Sequence, residues 1–209
     1  MDLDPRDNGQ LAARQNPASS SHDSHGSPDD ASRSRSVPGT VTWLLRRWPT
    51  VLAAGLVITT GALPPMWAMH FLPVLPLLYV VLVAIGRRVA TWPVLAGLTA
   101  LFLVLEHYAV DTFTVIAILA VVGTVLAVVA GRSREAGLQA AAFVGFFVVG
   151  LAAMYLDRTA GILLVAGGWA AHGLWDFWHL LRDKVVARTF AEACGVLDIL
   201  AAAGLLLAL

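Results

Sequence analysis

"WAAHGLWDFWHLLRDK", residues 169–184, is the stretch on which the reading of the whole chain turns. Its tryptophan-rich apolar run is interrupted by His172, Asp176 and His179. Spacings of four and three residues place these side chains on one face of a helix. Ionisable groups in such a run are costly in hydrocarbon unless they are paired or used. The stretch therefore raises two questions together, membrane insertion and a polar site inside it.

Composition answers the first question. Of 209 residues, 58% are hydrophobic and only 13% are charged, with a mean hydropathy of +0.74, which reads as an integral membrane protein. The zero net charge conceals a division of the chain. Residues 1–40 are rich in Ser, Asp, Pro and Gly, cannot bury enough apolar area to offset ordering entropy, and read as a disordered cytoplasmic tail. Their acidic start, "MDLDPRD", is unlike a secretory signal. Residues 41–209 form the transmembrane domain, and the single cysteine, Cys194, leaves no intramolecular disulfide and no Cys-rich metal cage.

Within that domain the expected class is an all-α helical bundle with seven membrane spans, near 48–62, 67–86, 92–109, 112–131, 137–156, 160–181 and 190–209. Pro73 and Pro76 predict a kink in the second span. Arg46, Arg47, Arg87, Arg88, Arg132, Arg134, Arg182, Lys184 and Arg188 occupy alternate junctions, whereas the other junctions hold only Arg158. Positive-inside sorting then puts the N-terminus in the cytoplasm and Leu209 at the outer face, in the cytoplasmic membrane of a bacterial-type cell.

Helical rise assigns depths to the polar residues. His179 falls near the inner edge, Asp176 about one turn deeper and His172 near the midplane. The antiparallel last span brings Asp198 between the depths of His172 and Asp176, with Cys194 on the same face as Asp198 and Glu192 pointing away to complement the helix dipole. His172, Asp176 and His179 are candidate ligands for zinc, iron or manganese. All three on one ion is strained, because His172 and His179 lie about 10 Å apart along the axis, so Asp198 or another helix must contribute. Asp176, Asp198 and His172 are equally candidates for acid–base catalysis, and polar packing between helices is the plain alternative. Trp169 is the tryptophan deep enough to touch a substrate, while Trp175 and Trp178 suit interfacial anchoring. A second, outer group contains the pair His70 and Glu106, with Asp111 and Asp157 at outer turns, and interfacial solvation accounts for Glu106, Asp111 and Asp157.

Several function classes are excluded by their missing motifs. The chain has no Gly-rich phosphate loop, no H-E-x-x-H, no G-x-S-x-G and no basic groove for nucleic acid. The run "GWAAHGLWDFWH" followed by "CGVLDIL" resembles a group of small bacterial multi-pass proteins that share H-x-x-W-D-x-x-H and an Asp in the next helix. The resemblance covers about the last forty residues and implies that His172, Asp176, His179 and Asp198 form one site. Buried acids in a seven-span frame are also similar in architecture to intramembrane terpene cyclases, although likeness of fold does not transfer function.

The resulting expectation is an enzyme acting on a lipid or isoprenoid-like substrate from the bilayer. It would be a cyclase, a hydrolase or a metal-dependent oxidoreductase, working by metal-assisted or acid–base chemistry. The alternatives are a proton- or metal-coupled transporter and a non-catalytic assembly protein.

Overall fold

Backbone N–H and C=O groups in hydrocarbon must satisfy one another, which leaves apolar stretches of this length to form helices. A computed structural model describes residues 47–60 and 63–209. Its helices are α1 (Trp48–Thr60), α2 (Pro65–Phe71), α3 (Val74–Ile85), α4 (Thr91–His107, after a 3-10 turn at Arg88–Ala90), α5 (Thr112–Val129), α6 (Ser133–Ala153), α7 (Arg158–Arg182) and α8 (Arg188–Leu207). The expected tail, with Trp43 and Arg46, lies outside the described residues.

Five helical stretches are long and apolar enough to cross a membrane: Pro65–Ile85, Arg88–His107, Thr112–Val129, Ser133–Ala153 and Arg188–Leu207. The two other expected spans correspond to α1 and α7. α1 has 13 residues and reaches only about 20 Å, short of a hydrocarbon core of about 30 Å. α7 has 25 residues and is long enough, but His172, Asp176, His179 and its terminal arginines lower its hydropathy.

The helix is interrupted at Pro73, one of the two prolines from which a kink is expected. The chain keeps helical dihedrals through Leu72 (φ −51°, ψ −44°) and Pro73 (φ −72°, ψ −17°), yet α2 and α3 separate there. Proline supplies no N–H for the carbonyl four residues earlier, so Met69 loses its intrahelical donor. One turn away, the Ala68 carbonyl accepts both Leu72 N at 3.1 Å and Trp169 Nε1 at 3.1 Å. The kink is thus pinned to α7. Pro76 sits in the first turn of α3, where a missing N–H costs little.

α2–α3 lies at the centre, with 72% of its most apolar window buried inside the protein, against 17% for Arg88–His107. α7 packs most extensively on α8; α8 also carries α1, and α6 lies against α3, α5 and α7. Basic side chains collect at one end of this bundle. Arg88 Nη1 lies 3.1 Å from Asp183 Oδ1, Arg188 is 3.8 Å from the same carboxylate, and Arg47 pairs with Glu192. Glu192 therefore has an ion-pair partner in addition to its place near a helix N-terminus. Arg132 donates to the carbonyls of Val83 (3.2 Å) and Ala84 (2.9 Å), supplying partners at the C-terminal end of α3. Gly86 ends that helix at φ 71°, and a Cβ there would collide with the Arg132 guanidinium. At the opposite end Asp111 and Asp157 cap α5 and α7 through Phe113 N (3.2 Å) and Ala160 N (3.0 Å), a more specific role than solvation.

The carbonyl released by Pro73 gives a test of this packing. A Cβ on Gly150 would stand 2.8 Å from the Met69 oxygen, backbone against backbone, whereas one on Gly137 of the same helix would meet nothing within 4 Å. Gly150→Ala is expected to destabilise by about 1–3 kcal/mol. Gly137→Ala is expected to stabilise by up to about 1 kcal/mol through helix propensity. Opposite shifts of the unfolding temperature in detergent would verify the close α2–α6 approach, and equal shifts would refute it.

Candidate functional site

The polar face of α7 turns into the bundle. His172, Asp176 and His179 are 1%, 0% and 1% exposed, and Asp198 of α8 is 0% exposed. Small residues let the two helices approach: a Cβ on Gly173 would lie 3.0 Å from the Gly195 carbonyl and 3.2 Å from Asp198 Cβ. That closeness puts His172 Nδ1 2.7 Å from Asp198 Oδ2 and 3.7 Å from Asp176 Oδ2. Each of the three residues offers a ligand atom within 4.8 Å of the others.

Of the four residues expected in one site, the structure gathers His172, Asp176 and Asp198 and sets His179 apart. His179 Nδ1 is 3.0 Å from the Trp175 carbonyl, and Nε2 is 3.1 Å from Gln139 Nε2. A carbonyl only accepts, so Nδ1 carries the proton and neutral Nε2 accepts from the Gln139 amide. Both ring nitrogens of His179 are thereby engaged, and its place in the ligand group passes to Asp198.

Sequence reasoning missed two members of the network. Tyr79, fully buried in α3, donates its hydroxyl to Asp176 Oδ1, and its ring centroid is 4.5 Å from that of His179. Gln139, 1% exposed on α6, meets His179 as described. The available signal was a lone polar side chain in each of two apolar stretches, "VLPLLYVVLVAI" and "AGLQAAAF". Together Gln139, His179, Tyr79, Asp176, His172 and Asp198 form a polar series entering from the basic end. Farther along, α7 presents Trp169, Val165 and Ile162, α8 presents Ala201 and Leu205, and the α2–α3 junction presents Leu72, all in one apolar cluster. Among the described residues, the polar series reaches the cluster from one end only.

Trp169 is a packing anchor as placed: it is 1% exposed, stacks on Phe71 at 6.2 Å and donates to Ala68. The residue that faces open space is Trp175. It lines an apolar groove of about 500 Å³ between α6 and α7, with Phe146, Gly145, Gly167 and Ala171. Phe146 both lines the groove and stands edge-on to His172 at 5.1 Å. Four buried polar atoms here have no hydrogen-bond partner: His172 Nε2, Asp176 Oδ2, Asp198 Oδ1 and Trp175 Nε1. Buried polar atoms are normally satisfied, so a concentration of exceptions asks for a ligand.

The outer group is separate from the His172–Asp176–Asp198 cluster. His70 Nδ1 lies 2.8 Å from Glu106 Oε1, which also accepts from Thr112 Oγ1 at 2.9 Å, so one carboxylate ties α2, α4 and α5. Beside it, the Thr114 hydroxyl holds the Asp111 carboxyl below its ordinary value of 3.8. A lowered folded value means that this cap contributes stability above the ordinary value and loses it as pH falls through the lowered one.

No family model, no curated protein and no solved structure matches this chain. The chemistry of the site is therefore read from its own geometry.

Tyr79→Phe removes one hydroxyl and leaves Asp176 Oδ1 buried without its donor. The expected cost is about 1–3 kcal/mol, measured by thermal unfolding of the detergent-purified protein. An unchanged unfolding temperature would mean that Asp176 does not depend on the phenol.

Proposed function

We propose that the chain is a seven-span membrane enzyme with a cytoplasmic N-terminus. Its His172–Asp176–Asp198 cluster holds one divalent transition-metal ion and acts on a lipophilic substrate admitted from the bilayer through the α6–α7 groove. The observation that carries the reading is the approach of one ligand atom each from His172, Asp176 and Asp198 to within 4.8 Å of the others, in a group where each residue keeps a buried atom without a partner, beside a groove lined by Phe146. The alternation of basic junctions supports the span count and orientation.

Charge and ligand chemistry agree with a metal. A neutral imidazole and two carboxylates carry a charge of −2, which one divalent ion cancels, and an uncancelled charge at this depth is strongly unfavourable. One nitrogen and two oxygens suit zinc, iron or manganese. The ion would supply Lewis-acid polarisation of a substrate oxygen. Tyr79 fixes the Asp176 carboxylate, as outer hydrogen bonds do for metal ligands. Phe146 excludes water until a substrate displaces it. The free Trp175 N–H aligns a polar atom of a substrate whose long apolar body fills the groove.

The test is incubation of metal-loaded protein with a total lipid extract, followed by mass spectrometry. Wild type is expected to consume at least one lipid species, and Asp176→Asn to lose about tenfold or more of that turnover. Gly167→Leu, whose new side chain points into the groove with nothing within 4 Å of its Cβ, is expected to block turnover while leaving metal content intact. No lipid consumed by metal-loaded wild type would overturn the enzymatic reading.

A further inference from the structure

The basic end of the bundle contains a second cavity, of about 400 Å³, that the buried cluster does not use. Its walls are the first turns of α6 (Arg134, Glu135, Gln139), the last turn of α7 (Trp178, His179, Arg182) and Lys184. Three cations against one carboxylate give the cavity a local charge of +2 (3 − 1). Of the other cations described at this end, Arg88 and Arg188 pair with Asp183, Arg132 donates to two carbonyls and Arg47 pairs with Glu192, while Arg87 is exposed outside the cavity lining. Arg134 and Lys184, by contrast, are exposed and make no ion pair among the described residues. Arg182 is held over the Trp178 ring at 4.6 Å, which fixes its guanidinium at the mouth.

The floor supplies the second observation. Gln139 is 1% exposed, its Nε2 is committed to His179, and its Oε1 is buried with no partner. That oxygen is an acceptor, so it calls for a ligand that brings a hydrogen-bond donor as well as negative charge. Chloride and sulfate offer the charge alone. A phosphate ester with a neighbouring hydroxyl offers both.

We infer that this cavity binds the headgroup of an anionic, hydroxyl-bearing phospholipid. Its phosphate would sit among Arg134, Arg182 and Lys184, and a headgroup hydroxyl would donate to Gln139 Oε1. Guanidinium and ammonium groups are the usual partners of phosphate, and a basic rim on a membrane bundle is where lipid headgroups lie. The proposal does not depend on the metal site, because no residue of the cavity belongs to the His172–Asp176–Asp198 group.

The test uses the full chain in an uncharged detergent, with bound ligand followed by native mass spectrometry. The probes are dioctanoyl phosphatidylglycerol, phosphatidylmethanol of equal charge without the hydroxyl, phosphatidylcholine, and glycerol 3-phosphate without acyl chains. Phosphatidylglycerol is expected to bind one per chain, more tightly than the other three and less tightly at high salt. R134Q/K184Q, at two exposed positions, is expected to weaken it roughly 30-fold, from the usual contribution of each basic side chain near a lipid surface. Arg158→Gln, an exposed arginine at the other end, is expected to change nothing. Equal affinity for phosphatidylcholine, or no effect of the double substitution, would overturn the site. Equal affinity for phosphatidylmethanol would overturn the role of Gln139, and equal affinity for glycerol 3-phosphate would overturn a lipid in favour of a soluble phosphate ester.

Discussion

The contact on which the rest depends joins His172 Nδ1 to Asp198 Oδ2 at 2.7 Å, between two helices and away from water. A lone imidazole or carboxylate at that depth would be driven out or would keep the helix from inserting. Joined, they hold α7 to α8 through their closest approach, where Gly173 faces Gly195. α7 could not otherwise be an interior helix, since its polar face needs partners from every neighbour. α8 supplies Asp198, α3 supplies Tyr79 and α6 supplies Gln139.

This division of partners accounts for the two halves of the molecule. Toward the basic end, α3, α6 and α7 present hydroxyl, amide and imidazole groups to one another. Away from it, the same helices and their neighbours present Leu72, Val165, Ile162 and Leu205. Trp169 lies at the boundary, tied to the Ala68 carbonyl five residues before Pro73. The groove past Phe146 and the cavity over Gln139 both approach the polar half from outside.

Much of this was legible in the sequence because helix geometry is periodic. The 172/176/179 spacing gave a shared face, helical rise put Asp198 at the matching depth, and Pro73 marked the bend. Basic junctions foretold the end at which Arg88, Arg132 and Arg188 gather. Side-chain choices were not legible, because they depend on partners distant in the chain. Nothing local to "WDFWH" says that His179 turns to Gln139, 40 residues away, or that Asp176 receives Tyr79, 97 residues away. Trp169 and Trp175 are likewise indistinguishable by composition. Neighbouring helices leave the first buried on Phe71 and the second beside a groove.

The central claim is that the His172–Asp176–Asp198 cluster holds a metal. Its most direct test is elemental analysis of protein purified in detergent without chelators and then offered zinc, iron or manganese, with wild type beside Asp198→Asn and His172→Asn. The account predicts close to one divalent ion per wild-type chain and its loss from both variants, with their helical content unchanged. A folded wild type that takes up none of the three metals would contradict it and leave the cluster as a hydrogen-bonded clasp between α7 and α8.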